Sequence, residues 1–341
     1  MHPIDHDSPD FAARFAALMA ASGVASGLLT PRFLAYRAAY LGGAPCVGLV
    51  MTERDAPLFG LRFDVVRDAA GRVAWDAVDV PTAGLVGRGA PAELVGGAIG
   101  AGRRALTGLV ERLRPATISF LDPPTDGALG DIARWALDLG ARVEPRFSQI
   151  VDLTAGETAA WRGLTKSFQS SVNWGKRHLV LRVVAGPDGA AAAMEVLHAL
   201  HLQAAGRETR EADTWADQLG MVEADEAFVV VAELDGRPVS AALFHATATD
   251  CYYGVSASDR ALFDKPISHA VLWQAMTVAR ARGVSRFELG QQLWPGVPLN
   301  GASPSDKELS IARFKRSFGG EAHVRLKIDL AIPPEGPLSG R

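Results

Sequence analysis

An α/β fold of two tandem units is expected, each a mixed, mostly antiparallel sheet flanked by helices. Three observations lead there. Apolar residues switch repeatedly between the helical spacing of three and four and the strand spacing of two. The order α–α–β–β–β–α–β–α–β can be read twice along the 341 residues, as a repeat of element order with no strong residue-level repeat. Hairpin signals fall early in each half and strand–helix–strand segments late, the mixture that a sheet with both antiparallel and parallel pairs needs. The order divides the chain into units at 1–153 and 154–332, followed by a tail at 333–341.

In the first unit, FAARFAALMAA has helical spacing, with Ser8 or Asp10 as its cap. TPRFLAYRAAYL is a second helix, Thr30 capping it and Pro31 taking the first helical position, where its missing N–H is harmless. APCVGLVMTE and APLFGLRFDVV are strands rich in β-branched and aromatic residues, and AGRVAWDAV follows a glycine turn as a third. PAELVGGAIGAGRRALTGLVERL is a long helix opened by Pro91. TISFLDPP is a strand closed by prolines, GDIARWALDLGA a helix with Gly140 at its C-cap, and RVEPRFSQIVDL a strand.

The second unit begins with extra elements: helices in TAGETAAWRGL and SFQSSVNWGKRH, then a strand in HLVLRVVAG. The earlier order then returns. Helices in AAAMEVLHALHLQAAG and TWADQLGMVEA precede a hairpin whose turn is Asp235-Gly236, and TDCYYGVSA is a third strand. PISHAVLWQAMTVARARG is a helix between Pro266 and Gly283, SRFELGQQLW begins with a strand, DKELSIARFKRSFGG is the last helix and EAHVRLKIDLAI the last strand.

Composition narrows the function. With 48% hydrophobic and 21% charged residues a sizeable core is feasible, and a net charge of -3 argues against a general nucleic-acid binder and against DNA as partner. The two cysteines, Cys46 and Cys251, sit in apolar or aromatic runs and read as buried thiols, not as a disulfide or zinc framework. No apolar run reaches the roughly 18 residues of a membrane span. MHPIDHDSPD lacks the features of a signal peptide, so a soluble, cytoplasmic protein without membrane contact is expected. His201, His245 and His269 fall on different elements without metal spacing, so no metal site is expected; His245, on a central strand, is the best-placed histidine for a base.

Candidate site residues come from four places. In LSIARFKRSFGGE, three cations (Arg313, Lys315, Arg316) interleave with Phe314 and Phe318. As a helix over 307–318 this segment puts Ile311, Phe314 and Phe318 on one face with Lys315 at its edge, where a lysine can snorkel into a cleft and donate to an oxyanion or phosphate. Arg207 and Arg210, in AAGRETR, follow a natural C-cap and can grip a phosphate or carboxylate; Glu208 and Glu211 are equally ready partners for them. Tyr252 and Tyr253 point to opposite faces of a strand, so at most one meets a cleft. Gln291 and Gln292 lie just past a strand end, where open α/β sheets bind ligands. Lys166, Lys176, Arg177 and Trp174 make a basic helix with an aromatic, suited either to RNA contact or, for Trp174, to packing.

Four stretches together resemble the Fem-type (FemAB-like) proteins, which carry the GNAT acyltransferase fold in tandem: LTKSFQSSVNWGKRHL at 164–179, LHLQAAGRETREADTW at 200–215, YYGVSASDRALFDKPISHAVLWQAM at 252–276 and FKRSFGGE at 314–321. The resemblance implies an N-acyltransferase that moves an acyl or aminoacyl group from an adenosine-bearing donor to an amine of a sugar, peptide or nucleotide-linked metabolite. It implies that Phe314 stacks on the donor's adenosine with Arg313 beside it, and that Lys315 stabilises the oxyanion. Arg207, Arg210, Tyr252, Tyr253, Gln291 and Gln292 are then assigned to the acceptor. No covalently bound cofactor is implied; acyl-CoA or aminoacyl-tRNA is the co-substrate, with the tRNA acceptor end as the nucleic-acid partner in the second case.

One departure bears on the donor. Simple GNAT enzymes hold the coenzyme A pyrophosphate in a loop of the form Q/R-x-x-G-x-G/A. Here the corresponding SASDRALFDKPIS has no glycine between Ser258 and Ser268, and backbone amides cannot approach a pyrophosphate as closely beside Leu262 and Phe263. The donor therefore stays open between coenzyme A held in another pose and aminoacyl-tRNA. The same loss supports a competing expectation, a GNAT-like binding or partner protein without chemistry. A third reading, a nucleotide-dependent oxidoreductase, is poor, because GAIGAG at 97–102 lies inside a predicted helix instead of after a strand and the Rossmann context fails. The enzyme reading requires the two halves to pinch a cleft that receives the Lys315 ammonium.

Overall fold

The structure, a computed structural model, describes residues 2–24, 26–122, 127–335 and 338. Pro123 and Pro124, read as closing a strand, and most of the 333–341 tail lie outside the described residues. The first half runs β1 (His2–Asp5), α1 (Phe11–Ser22), α2 (Pro31–Tyr40), β2 (Cys46–Glu53), β3 (Ala56–Arg67), β4 (Val73–Ala77), β5 (Ala83–Val86), α3 (Ala92–Leu113), β6 (Thr117–Asp122), α4 (Asp131–Asp138), β7 (Arg142–Asp152). The second runs α5 (Glu157–Gly163), α6 (Lys166–His178), β8 (Val180–Val184), α7 (Ala190–Ala205), α8 (Ala212–Glu223), β9 (Ala227–Leu234), β10 (Arg237–Ala246), β11 (Asp250–Ser258), α9 (His269–Ala281), β12 (Arg286–Gln292), α10 (Asp306–Arg316), β13 (Glu321–Ala331).

Local chemistry accounts for most element ends. Thr30 accepts from the Phe33 amide ahead of Pro31, and Ser305 and Glu308 form a full capping box at the start of α10. Asp235 and Gly236 both take left-handed φ, the geometry that a two-residue hairpin turn matches to strand twist. Asp10 precedes α1 but makes no side-chain cap. Strands β1 and β5 were not expected: each has four residues, too few for an alternation to register.

The strands join into one sheet in the order β1-β2-β3-β4-β6-β13-β7-β12-β11-β10-β9-β8, with β5 pairing β3. Pairing is antiparallel except for β4 with β6 and β11 with β12, the two places where a helix (α3, α9) crosses between strands. The last strand, β13, pairs with both β6 and β7 and so sits between two strands of the first half. Gly319 and Gly320, at φ +84° and +76°, make the turn that feeds it there; a Cβ on Gly320 would run into the Ile150 carbonyl.

Helices cover both faces. α1, α2, α7 and α8 share a core with β9–β11, including Phe15, Leu197 and Val229. α5, α6 and α9 pack on the opposite face around Phe244, Trp273 and Phe318, and α3 and α4 close the first half around Phe63, Trp75 and Phe120. Each helix buries an apolar stripe against an apolar strand face, which leaves the polar faces of the central strands β6, β13, β7 and β12 to line the space between the halves.

Candidate active site

Parallel pairing joins β11 to β12 only at Asp250–Tyr252 against Arg286–Glu288. Beyond this, β11 continues along β10 to Ser258, while β12 turns toward β7 through a register shift between Glu288 and Gly290. The strands part, and a cleft of about 600 Å³ opens there, bounded by Tyr252, Glu288, Gly290 and Gln291 on one side and by Arg37 and Asp76 of the first half on the other. Bulges re-aim side chains and recur beside functional sites; here the shift sets Gly290 at φ +85° on the cleft wall.

Lys315 reaches this wall from α10. Its Nζ donates to the Gln291 carbonyl at 3.1 Å. An ideal Cβ on Gly290 would lie 3.2 Å from that Nζ and 3.7 Å from the Tyr252 hydroxyl, so the ammonium and the phenol close on one point above a glycine with no side chain in the way. Burial pulls the Lys315 ammonium down to about 8 from its ordinary 10.5, and the nearby Glu288 carboxylate only partly opposes this. Burial, then the Glu288 and Asp79 charges, push the Tyr252 phenol upward, so it remains a protonated donor.

A hydrogen-bonded clamp holds Lys315 in place. Gln292 is 1% exposed. In the amide orientation that satisfies its neighbours it donates to the Ala312 carbonyl at 3.0 Å and accepts from Arg316 Nη1 at 2.8 Å and Nε at 3.1 Å. The Arg316 guanidinium also lies 4.4 Å above the Trp294 ring. Gln292 thus ties α10 to the end of β12 from the side away from the cleft. Replacing Gln292 by leucine removes an acceptor for a guanidinium and is expected to destabilise the fold by about 1–3 kcal/mol; urea unfolding measures it.

The other expected site residues scatter around this centre. Gln291 is exposed on the cleft wall. Tyr252 faces the cleft, whereas Tyr253 stacks on Phe244 at 5.5 Å on the opposite face and donates to Ser256 Oγ at 2.5 Å. Arg210 donates to the Tyr36 hydroxyl at 2.9 Å and lies over the Tyr40 and Trp215 rings, lining a side chamber of about 280 Å³ that shares Arg37, Asp79 and Tyr252 with the cleft. Arg207 stands exposed just past Gly206, the left-handed C-cap of α7. Phe314 is partly buried among Phe168, His269 and Phe318, and Arg313 is exposed one residue before it. Ile311, expected on the buried face with Phe314, is 47% exposed: α10 ends at Arg316, and Phe318 reaches the core from the turn beyond it.

Two further expectations change. His245, the best-placed base in the sequence, is 2% exposed, and burial with the Arg210 charge pulls its imidazole down to about 3. It stays neutral and is too weak a base for proton abstraction near neutrality. In the basic helix α6, Lys176 lies over the Trp161 and Trp273 rings, and Trp174 stacks on His178 and packs against the core beneath α9. Among the described residues no cluster of three or more His, Cys, Asp or Glu could hold a metal, and Cys46 and Cys251 are free thiols.

Sequence reading missed the polar floor and far wall. Arg37 of α2 bridges Asp64 (3.4 Å), Asp76 (3.5 Å) and Asp79 (2.6 Å), and burial lifts the Asp76 carboxyl to about 6. Glu288 pairs with Arg325 at 2.7 Å. The available signal was a charge at every second position in RVEPR and RLKID, unusual for strands in the middle of a sheet.

Residues 166–300 match the acetyltransferase (GNAT) domain family. Among solved structures, FemX aligns with a TM-score of 0.67 at 12% identity over 97% of this chain and 98% of that chain. The tandem GNAT protein from the clavulanic acid biosynthesis pathway aligns with a TM-score of 0.53 at 14% identity over 98% of each chain. L-PGS from Bacillus licheniformis aligns at 0.56 and 12% identity over 94% of this chain and 91% of that chain. No curated protein matches. At such identities the likeness establishes the fold, a Fem-like pair of GNAT units as the element order anticipated.

Proposed function

Starting from a tandem GNAT chain whose residues 166–300 carry the GNAT domain, we propose an N-acyltransferase that moves an acyl or aminoacyl group from an adenosine-bearing donor to an amine held in the central cleft. The observation that carries this reading is the convergence of Lys315 Nζ and the Tyr252 hydroxyl over Gly290, at the point where β11 and β12 part. The donor's carbonyl carbon is attacked by a neutral amine; a C–N bond forms, and the C–O or C–S bond to the leaving group breaks. Negative charge develops on the carbonyl oxygen. A protonated Lys315 in a partly dehydrated site stabilises that charge more strongly than water does. Tyr252 supplies a second donor, to the oxyanion or to the leaving atom. Asp76 and Asp79 give the acceptor's ammonium a counter-ion on the far wall, and Asp76 is a sink for its proton.

Arg313, exposed on α10, and Phe314, partly buried beside it against Phe168 and His269, are assigned to the donor's terminal adenosine. Arg207, Arg210, Tyr252 and Gln291 are assigned to the acceptor; Gln292 instead holds α10 from behind the wall, and Tyr253 packs on Phe244 on the opposite face. The segment after β11 supports a donor other than coenzyme A in its usual pose. Asp259 already accepts from the Ala261 amide at 2.9 Å, and Phe263 projects 68% exposed where glycines would bare the backbone.

The test is a thermal-shift and product assay with acetyl-CoA, charged tRNA and uncharged tRNA against a panel of primary amines. A true donor raises the melting temperature in proportion to the logarithm of its concentration and yields an amide detectable by mass. A tRNA donor does so with a steep loss at higher salt. The same loop favours a second reading, a GNAT-like binding protein; a melting shift without any amide product identifies it. No shift and no product with any donor overturns both.

A further inference from the structure

The floor of the cleft carries an arrangement that the transfer chemistry does not use. Arg146 of β7 and Arg325 of β13 are direct cross-strand partners, and Lys327 follows two residues on, on the same face. Like charges placed opposite each other destabilise a sheet. Among the described residues each cation pairs with a carboxylate: Glu144 at 3.2 Å from Arg146, Glu288 at 2.7 Å from Arg325 and Asp329 at 2.9 Å from Lys327. These pairs fix the cations but do not use up their donors. Arg146 Nε is buried and has no hydrogen-bond partner among the described residues, a costly arrangement unless something fills it.

What lies between the cations is a neutral oxygen. Asn300 Oδ1 accepts from Arg146 Nη2 at 2.6 Å and from Lys327 Nζ at 3.2 Å. Asn300 stands at the tip of a two-residue turn closed by Leu299 and Ala302, with Asn300 and Gly301 both at left-handed φ, and its own amide donates to Glu144 at 2.9 Å. The turn belongs to the segment between β12 and α10, tethered at its tip by these polar contacts. Two cations sharing one carboxamide oxygen are poorly matched, because a charged acceptor bonds such donors about twice as strongly.

We propose that Arg146 and Lys327, backed by Arg325, form a subsite for a carboxylate of the acceptor, and that the Asn300 side chain occupies it as a plug when no acceptor is bound. A carboxylate has the planar shape of the carboxamide it replaces and can engage Arg146 through two nitrogens, including Nε. A phosphate is larger and tetrahedral and fits the vacated place less well. The acceptor is then an amino acid, or a peptide ending in one. This rests on the transferase reading only in naming the anion as the acceptor's; the subsite itself can be tested by binding alone.

The probes are glutarate, the neutral glutaramide and inorganic phosphate, followed by calorimetry and thermal shift on the full chain. Glutarate is expected to bind and glutaramide not, with phosphate weaker than glutarate. Arg146→Gln and Lys327→Gln are expected to weaken glutarate by about tenfold or more, the loss of one charge-assisted contact. Asn300→Asp places a tethered carboxylate in the subsite and should raise the melting temperature while abolishing the glutarate shift. Asn300→Gly should tighten glutarate binding. Phosphate binding more tightly than glutarate, glutarate binding that is indifferent to Arg146→Gln, or an Asn300→Asp protein less stable than wild type overturns the proposal. If glutarate binds as expected while Lys315→Met retains full transfer activity, the transferase mechanism falls and the subsite stands.

Discussion

Substituting methionine for Lys315 is expected to lower turnover by about 10²–10³-fold, the range for removing one preorganised oxyanion donor, with the fold intact. Methionine matches the lysine stem in length and keeps the apolar contacts along α10 while deleting the charge. Burial holds the Lys315 pKa near 8, below the ordinary 10.5. The unfolded chain therefore binds the extra proton between those two values, and stability rises with pH across that window. Below about 8 the buried ammonium weakens the folded state, so its removal should not lower the melting temperature at pH 7. Catalysis has the opposite sign: the donor works when protonated, so the wild-type rate should fall as pH rises through about 8, and that limb should vanish in the variant. A methionine enzyme with wild-type kcat, or with the same falling limb, would remove Lys315 from the mechanism. The measurement is the pH profile of kcat/KM for both proteins beside their melting curves.

Gly290→Ala should be nearly as damaging for a different reason. At φ +85° an alanine is strained by about 1–2 kcal/mol. Its methyl would also stand 3.2 Å from Lys315 Nζ and 3.7 Å from the Tyr252 hydroxyl, in the gap where a reacting carbonyl is proposed to sit. Displacing reacting groups by about 1 Å can cost about 10²-fold in rate, so a loss of that order in kcat is expected, with only a modest drop in urea midpoint. Gly296→Ala is the control: among the described residues nothing lies within 4 Å of its would-be Cβ, and its φ is ordinary, so it should be silent in both assays. Equal activity in the Gly290 and Gly296 variants would refute the geometry.

How much of this was legible beforehand depends on the range of the interactions concerned. The capping box of α10, the Thr30–Pro31 start of α2 and the Asp235-Gly236 hairpin were readable because each is made within a few residues. The repeated element order carried the tandem fold for the same reason, since helix and strand periods are local properties of side-chain direction. The Lys315 segment stood out because cations beside buried aromatics conflict with a plain amphipathic face.

The partners across space were not readable. Nothing local in EAHVRLKIDLAI says that it will lie between β6 and β7, because strand pairing is decided by the whole sheet. Arg146, Arg325 and Lys327 each look like ordinary surface charges in one dimension, and their convergence on Asn300 exists only once two distant strands and a loop are brought together. The same holds for which tyrosine meets the cleft and for why Gln292 holds α10 to β12. Sequence alone determined the elements, their order and the class of fold, which follow from near-neighbour sterics and hydrophobic period. Only the tertiary structure decided the site, because desolvation, charge pairing and the empty space over Gly290 depend on groups that are neighbours in space and strangers along the chain.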